Sequence, residues 1–324
     1  MCGGHIPGIL KALERLLADV TAGDPASGMK WTHRSLRTLP KGLRHLGIKA
    51  SPPTIARLLH GRGFSLRTCR KNKAGTHDKD RDRQFRYLVR LRNLYLGRGW
   101  PVISVDTKKK ELVGEFKNPG RCWRREARDV LDHDFPSWAT GRAVPYGIYD
   151  VAFNDGMVVI GTSHETPSFA VAAIRRWWLE VGRRRYARTR RLLIEADAGG
   201  ANDARKWEWK VALQGLADEF GLTITVTHYP TGASKWNPID HRMFSLISAN
   251  WSGEPLVNYE TILGYIRRTR SGQGFHCRAR LDRTVYPKRS KATTEAKNRV
   301  RLKRRRVLPK WNYTIRPHDK PPEC

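Results

Sequence analysis

Between Trp100 and Trp251 the apolar residues alternate with the two-residue period of strands, then switch back and forth to the wider period of helices. Few folds accept that order. "WPVISVDT" (100–107) predicts a strand with Val102, Ser104 and Asp106 on one face and Ile103 and Val105 on the other. "YGIYDVAF" (146–153) and "MVVIGTS" (157–163) flank "NDG", a strong hairpin signal. "SFAVAAIRRWWLEVG" (168–182) predicts a helix capped by Ser168, and "RLLIEAD" (191–197) a short buried strand. "NDARKWEWKVALQGLADEFG" (202–221) predicts a helix stopped by Gly221, "LTITVTH" (222–228) a strand, and "IDHRMFSLISANW" (239–251) a helix with Ile239, Met243, Leu246 and Ile247 inward.

Three antiparallel strands followed by crossover units give a ribonuclease-H-like α/β fold: a mixed sheet covered by helices on both faces. A doubly wound dinucleotide fold would alternate strand and helix from the start and place a Gly-rich turn after the first strand. "DTKKKE" stands there instead. "AGGAND" (198–203) places glycines between a strand and a helix but lacks the Lys-Ser/Thr of a phosphate loop.

This core is expected over residues 100–265. Residues 1–75 show short helical patterns broken by Gly and Pro, 76–99 a charged connecting helix, and 266–324 a basic C-terminal extension. In the first region Thr32 is a candidate N-cap for a helix bearing Leu36, Leu39, Leu43 and Leu46, with Gly47 as its stop and Pro40 and Gly42 weakening it. Ser51 then caps a second helix, with Pro52 and Pro53 in its first turn and Ile55, Leu58 and Leu59 on the buried face. Thr54 and Arg57 face outward, as a recognition helix requires in a major groove. The alternative is a helical hairpin that only packs on the rest of the chain.

Lys and Arg number 62 against 30 Asp and Glu, a formal charge of +32. Such an excess calls for a polyanion, and nucleic acid is the commonest. A membrane surface competes, but no apolar run is long enough to span a bilayer. The N-terminus reads as an amphipathic helix rather than a signal peptide, so a cytoplasmic, nucleoid-associated location is expected. Cys2, Cys69, Cys122, Cys277 and Cys324 are scattered, which fits reduced thiols rather than a zinc site.

The predicted topology makes the strands ending in Asp106 and Asp197 parallel neighbours. Both carboxylates then leave the same sheet edge, and Asp240 opens the helix that crosses it. Acids converging at close range need a cation. Mg²⁺ suits a carboxylate cluster that also engages phosphate, and two such ions about 4 Å apart serve phosphoryl transfer. An Asp ending a strand is also an ordinary turn former or cap; the joint placement is what favours chemistry. Asp150 and Glu165 read as decoys. Glu195, two residues before Asp197, reads as a fourth acid or as an arginine partner, with pairing favoured. Lys108, Lys109 and Lys110 beside Asp106, and Lys235, Trp236 and Asn237 before the Asp240 helix, suit phosphate clamping and base stacking. Solvated basic loops are the plainer reading.

At these residues the chain resembles a known family. "PVISVDTKKKELVGEFKNPGR", "VPYGIYD", "SFAVAAIRRWW", "LLIEADAGGAND" and "ITVTHYPTGASKWNPIDHRMFSLISANW" are similar to bacterial insertion-sequence transposases of the ISAzo-thirteen family. "GDPASGMKWTHRSLRTL", "TIARLLHGRGFSL", "LVNYETI" and "WNYTI" extend the resemblance over nearly the whole chain. It implies a DDE enzyme with a ribonuclease-H-like core, using Mg²⁺ or Mn²⁺, two ions in all. Such an enzyme would hydrolyse DNA at element ends and join them to target DNA as a homo-oligomer. Asp106 and Asp197 match the family's first two acids. The third is a Glu in the family, and Asp240 stands there, about 1.5 Å shorter in reach. Glu195, Cys122, Pro40 and Gly42 also depart from the pattern. The alternatives are an inactive transposase-derived DNA-binding protein and another ribonuclease-H-like nuclease.

Overall fold

The computed structural model describes residues 7–18, 21–23, 30–32, 35–65, 79–122, 124–230, 233, 236–288 and 291–319. The chain divides into two compact units, residues 1–73 and 74–324.

The first unit holds helices α1 (Ile9–Ala18), α2 (Leu39–His45) and α3 (Pro52–Gly61), with strands β1 (Thr21–Gly23) and β2 (Lys30–Thr32) paired antiparallel. Ile9, Leu13, Leu17, Leu39, Leu43 and Ile55 form its core. Helix α2 starts later than expected. Thr32 belongs to β2 and Thr38 occupies the N-cap, so Pro40 falls in the first turn, where its missing N–H costs nothing. Gly42 lies against Leu16: a Cβ there would come within 3.0 Å of it. The two residues that seemed to weaken the helix are thus a start signal and a packing contact. Ser51 caps α3 as expected, accepting from the Thr54 N–H at 3.4 Å.

The second unit begins with α4 (Arg81–Gly97), then β3 (Val102–Thr107), β4 (Glu111–Val113), β5 (Gly141–Asp150) and β6 (Asp155–Gly161). Next come α5 (Pro167–Trp177), a π-helical turn (Trp178–Gly182), α6 (Arg183–Arg185), β7 (Arg191–Ala196), α7 (Trp207–Phe220) and β8 (Thr223–His228). A second π-helical turn (Asp240–Phe244) leads into α8 (Ser245–Asn250), followed by α9 (Tyr259–Arg268), β9 (His276–Asp282), α10 (Thr294–Asn298), β10 (Leu302–Arg304) and β11 (Asn312–Ile315). Thr166, not Ser168, caps α5, accepting from the Phe169 N–H at 3.2 Å.

The main sheet runs β10-β11-β8-β7-β3-β5-β6-β9, with β4 paired to β5. Strands β3, β5 and β6 are successively antiparallel, and β7 and β8 lie parallel on the other side of β3. This is the ribonuclease-H-like order. On one face Ile103, Val105, Ile148 and Val159 pack against Phe169, Ile174 and Trp177 of α5 and Trp209 and Leu213 of α7. On the other, Val158 and Ile160 meet Met243, Ile247, Ile262 and Ile266. The stretch beyond 265, expected as an extension, supplies β9, β10 and β11 to the sheet. Its charge masked the strand pattern: Cys277 and Ala279 are buried, while Arg278 and Arg280 between them pair with Asp155 and Glu180.

Helix α4 does more than connect. It buries Gln84, Leu88, Leu91 and Tyr95. The Gln84 amide donates to His228 O at 2.8 Å and accepts from Asn312 Nδ2 at 2.7 Å, a fully buried exchange. No described helix is long and apolar enough to cross a membrane.

Candidate active site

Asp106 stands one residue from the end of β3, and Asp197 directly follows β7. The two strands are parallel, with Val105 opposite Ala196, so the next residue on each leaves the same sheet edge beside the other. Both line an open pocket of ≈ 460 Å³. Burial and then the charge of Asp197 push the Asp106 carboxyl up to about 8, with smaller contributions from Asp240 and Glu165; the Thr107 N–H, 2.7 Å from Oδ1, opposes them. Burial raises Asp197 as well, against the Ala198 N–H at 2.6 Å. Asp240 does not line the pocket but belongs to the same electrostatic group: burial raises it, His241 lowers it, and Asp197 raises it. Among the described residues no Lys or Arg forms an ion pair with any of these three acids.

Three features hold them in place. His228 is buried, and its Nδ1 lies 3.0 Å from Asp197 O while its Nε2 lies 3.0 Å from the Tyr313 hydroxyl. Burial lowers the imidazole to about 4, so it is neutral. A carbonyl only accepts, which places the proton on Nδ1. Tyr313 therefore donates to Nε2, and its oxygen accepts from Trp209 Nε1 at 2.8 Å. Second, Ser104, on the same strand face as Asp106, donates to Asn237 Oδ1 and accepts from the Ile239 N–H at 3.3 Å. This ties the start of the Asp240 helix to β3. Third, Gly147, the register partner of Asp106, admits that helix: a Cβ there would stand 2.6 Å from the Phe244 ring.

Asn237 is thereby corrected. It is fully buried, with Nδ2 lacking a partner among the described residues, and serves as an internal tie rather than a rim contact for DNA. Lys235 lies outside the described residues. Trp236 is 43% exposed, with Arg81 over its ring at 4.6 Å and Phe85 edge-on at 5.7 Å. Lys108 is engaged by Glu111 at 2.9 Å and by the Trp251 ring at 4.5 Å. Lys109 is exposed on the pocket, and Lys110 pairs with Glu165 at 2.9 Å. In the first unit Arg57 is exposed, and the Thr54 hydroxyl bonds that of Ser51 at 2.9 Å.

Glu195 shares the sheet face of Asp197 but is taken up by an arginine. Fully buried, it accepts from Arg92 Nε at 2.8 Å and Nη2 at 2.5 Å, and from Tyr229 at 3.2 Å. Glu165, read as a decoy, does stand in the pocket. Its Oε1 would lie 2.8 Å from a Cβ on Gly200, whose φ of +62° also favours glycine. Strand parity holds the signal for it: β6 runs parallel to β3, so the residues just after β6 emerge at the Asp106 edge. The His228–Tyr313–Trp209 chain has no local sequence signal.

Asp and Glu are hard oxygen donors, and unpaired carboxylates repelling one another fit a divalent cation. Among the described residues no group of three Asp, Glu, His or Cys stands ready-made to grip a metal ion. Mutual repulsion acts over longer distances than coordination, so both observations hold together. Of the cysteines, Cys122 is exposed and Cys277 buried; the other three lie outside the described residues.

A family profile described as the Rhodopirellula transposase DDE domain matches residues 12–317. The chain belongs to this transposase family. It is a DDE-type DNA transposase. No curated protein matches it. Among solved structures it is similar to a pre-cleavage Mos1 transpososome, at 11% identity and a TM-score of 0.44, and to the Mos1 transposase paired-end complex with left transposon end, at 11% and 0.43. Each alignment covers 82% of this chain and 72% of the other. At those scores the fold assignment rests on the strand order and the family match.

Proposed function

We propose that Asp106, Asp197 and Asp240 are the transposase's catalytic acids and hold divalent cations, Mg²⁺ or Mn²⁺, in a pair. The observation that carries this is the convergence of three acids that form no ion pair with Lys or Arg among the described residues, in a chain of net charge +32. Ions so held supply an activated oxygen nucleophile and stabilise the leaving oxygen in phosphodiester cleavage and strand transfer. Asp106, on which the charges of both Asp197 and Asp240 act, would serve both ions, with Asp197 and Asp240 taking one each. Lys109 meets phosphate at the rim, and Trp236 offers a ring to a base. The Ser104–Asn237 tie and the His228 chain fix the acids before DNA arrives. Helix α3, with Thr54 and Arg57 outward, reads the element's terminal repeats. The excess charge gives binding that weakens steeply with salt. Joining two ends requires at least two copies, working on DNA in the cytoplasm.

The test is strand transfer of end-bearing DNA in Mg²⁺ or Mn²⁺, alongside Mn²⁺ binding followed by electron paramagnetic resonance. Asp106→Ala or Asp197→Ala should abolish transfer and lose bound Mn²⁺ while DNA affinity stays. DNA binding by the unaltered chain with no cleavage under either metal would overturn the reading in favour of a binding protein.

A further inference from the structure

Between β4 and β5 residues 114–140 leave the sheet and return. The base of this excursion is tied down: the Leu131 N–H donates to Glu115 O at 2.8 Å, and Asn118 Nδ2 to Trp251 O at 3.1 Å. Beyond it stands a group of rings. His133 lies parallel to Phe135, 2° between planes and 5.1 Å between centroids, and Trp138 meets Phe135 edge-on at 5.0 Å. Phe135 is 49% exposed and Trp138 48%. Rings of this size ordinarily bury.

Their location narrows what they serve. Pro136, between them in sequence, lines the same pocket as Asp106 and Asp197. The rings thus flank a residue of that pocket's wall, close to where DNA must pass if the proposed catalytic site is right; the inference rests on that reading. The surrounding charges are mixed along the excursion, where Lys117, Arg121, Arg125 and Arg128 are exposed with Glu126 and Asp129 among them, but next to the rings only acids stand: Asp132 and Asp134, both exposed, flank His133. Those carboxylates repel phosphate but accept hydrogen bonds from the amino groups of bases. An aromatic face beside acceptors suits a base, not a backbone.

The geometry points to a stacking site on Phe135 and Trp138 for one unpaired nucleobase of the bound DNA end. In a duplex both faces of a base are covered by its neighbours, so only an unpaired base offers a face to protein rings. Holding one here keeps the strand open beside the carboxylates. A second copy of the chain is the rival occupant: its positive surface would meet the acids, but that does not account for rings on either side of a pocket-lining residue.

The test uses the full chain carrying Asp106→Asn, so that DNA stays intact. The probes are a forked DNA with 2-aminopurine in its unpaired arm and the fully paired duplex. Stacking should quench the probe's fluorescence. Phe135→Ala and Trp138→Ala should each remove the quench and weaken fork binding about 5- to 150-fold, leaving duplex affinity within about twofold. Trp138→Phe, which keeps a ring, should retain most of both, which separates stacking from misfolding. Equal losses on fork and duplex, or an unchanged quench, would overturn the inference. So would loss of self-association in sedimentation with fork binding intact, which would give the surface to a second copy. Fork preference with no Asp106-dependent chemistry would sink the catalytic reading instead; Asp106-dependent transfer without fork preference would sink this one alone.

Discussion

The second unit carries two sets of acids, one buried and one half-buried, and they are treated oppositely. Asp150 and Asp155, at the edge away from Asp106, share Arg185 at 2.7 and 2.6 Å, and Asp155 takes Arg278 as well at 2.6 Å. Glu195 takes Arg92. Asp106 and Asp197 each accept a neighbouring backbone N–H, from Thr107 and Ala198, and among the described residues all three of Asp106, Asp197 and Asp240 lack a Lys or Arg ion pair. Scarcity of bases does not explain this, since Lys and Arg outnumber Asp and Glu 62 to 30. The first set is neutralised within the fold; the second has no Lys or Arg ion pair among the described residues, which is what the proposed cation sites require. A buried acid in this chain is thus read by its partner, not by its burial.

The sharpest break of that comparison is to remove a partner from the neutralised set. Arg92→Met leaves Glu195 charged and fully buried, and should cost about 3–5 kcal/mol in urea unfolding. A loss below about 1 kcal/mol would show that the pair is not what satisfies Glu195. Gly147→Ala comes next. It touches no acid, yet pushes the Phe244 ring and with it the Asp240 helix; overpacking of this kind costs about 1–3 kcal/mol. Strand transfer should fall more than stability predicts, because Asp240 moves with the helix. The smallest stability effect belongs to the unpaired set and has the opposite sign. Asp106→Asn removes a carboxyl that burial and Asp197 push up to about 8, a raised value that works against folding near neutral pH, and should raise Tm by a few degrees while ending catalysis. A fall in Tm would mean that Asp106 is a structural acid like Glu195.

Much of this was legible in the sequence, and the rest was hidden for identifiable reasons. Strand alternation set the order of β3, β5, β6, β7 and β8, and parallel neighbours put Asp106 and Asp197 together. Strand β9 was hidden because Arg278 and Arg280 alternate with Cys277 and Ala279 as a strand should, but their acid partners lie 123 and 100 positions upstream. Without those partners the run reads as a solvated basic tail. Asn237 misled for the converse reason: a polar residue beside a predicted site reads as rim, and only its bond to Ser104 shows it to be internal. Glu165 was set aside because its position was judged along the chain rather than by the sheet edge it reaches.

By the resemblance in the sequence, Asp240 stands where the family carries a Glu, and changing it gives the finest test of the proposed site. The carboxylate reaches about 1.5 Å less far than a Glu would. Two features of the fold act on that gap. Asp240 opens a π-helical turn, a rare widening that recurs at functional sites. Gly147 also lets Met243 and Phe244 press directly on the sheet, seating the helix closer than any residue with a Cβ would allow. If close seating makes up for the shorter side chain, Asp240→Glu should leave strand transfer equal or raise it, by about fivefold at most, or ~1 kcal/mol. A loss beyond about 100-fold would show a site adapted to Asp alone. The double variant isolates the cause. With Gly147→Ala the helix stands further out, so the longer Glu should recover activity that Asp cannot, and the two substitutions should be coupled rather than additive.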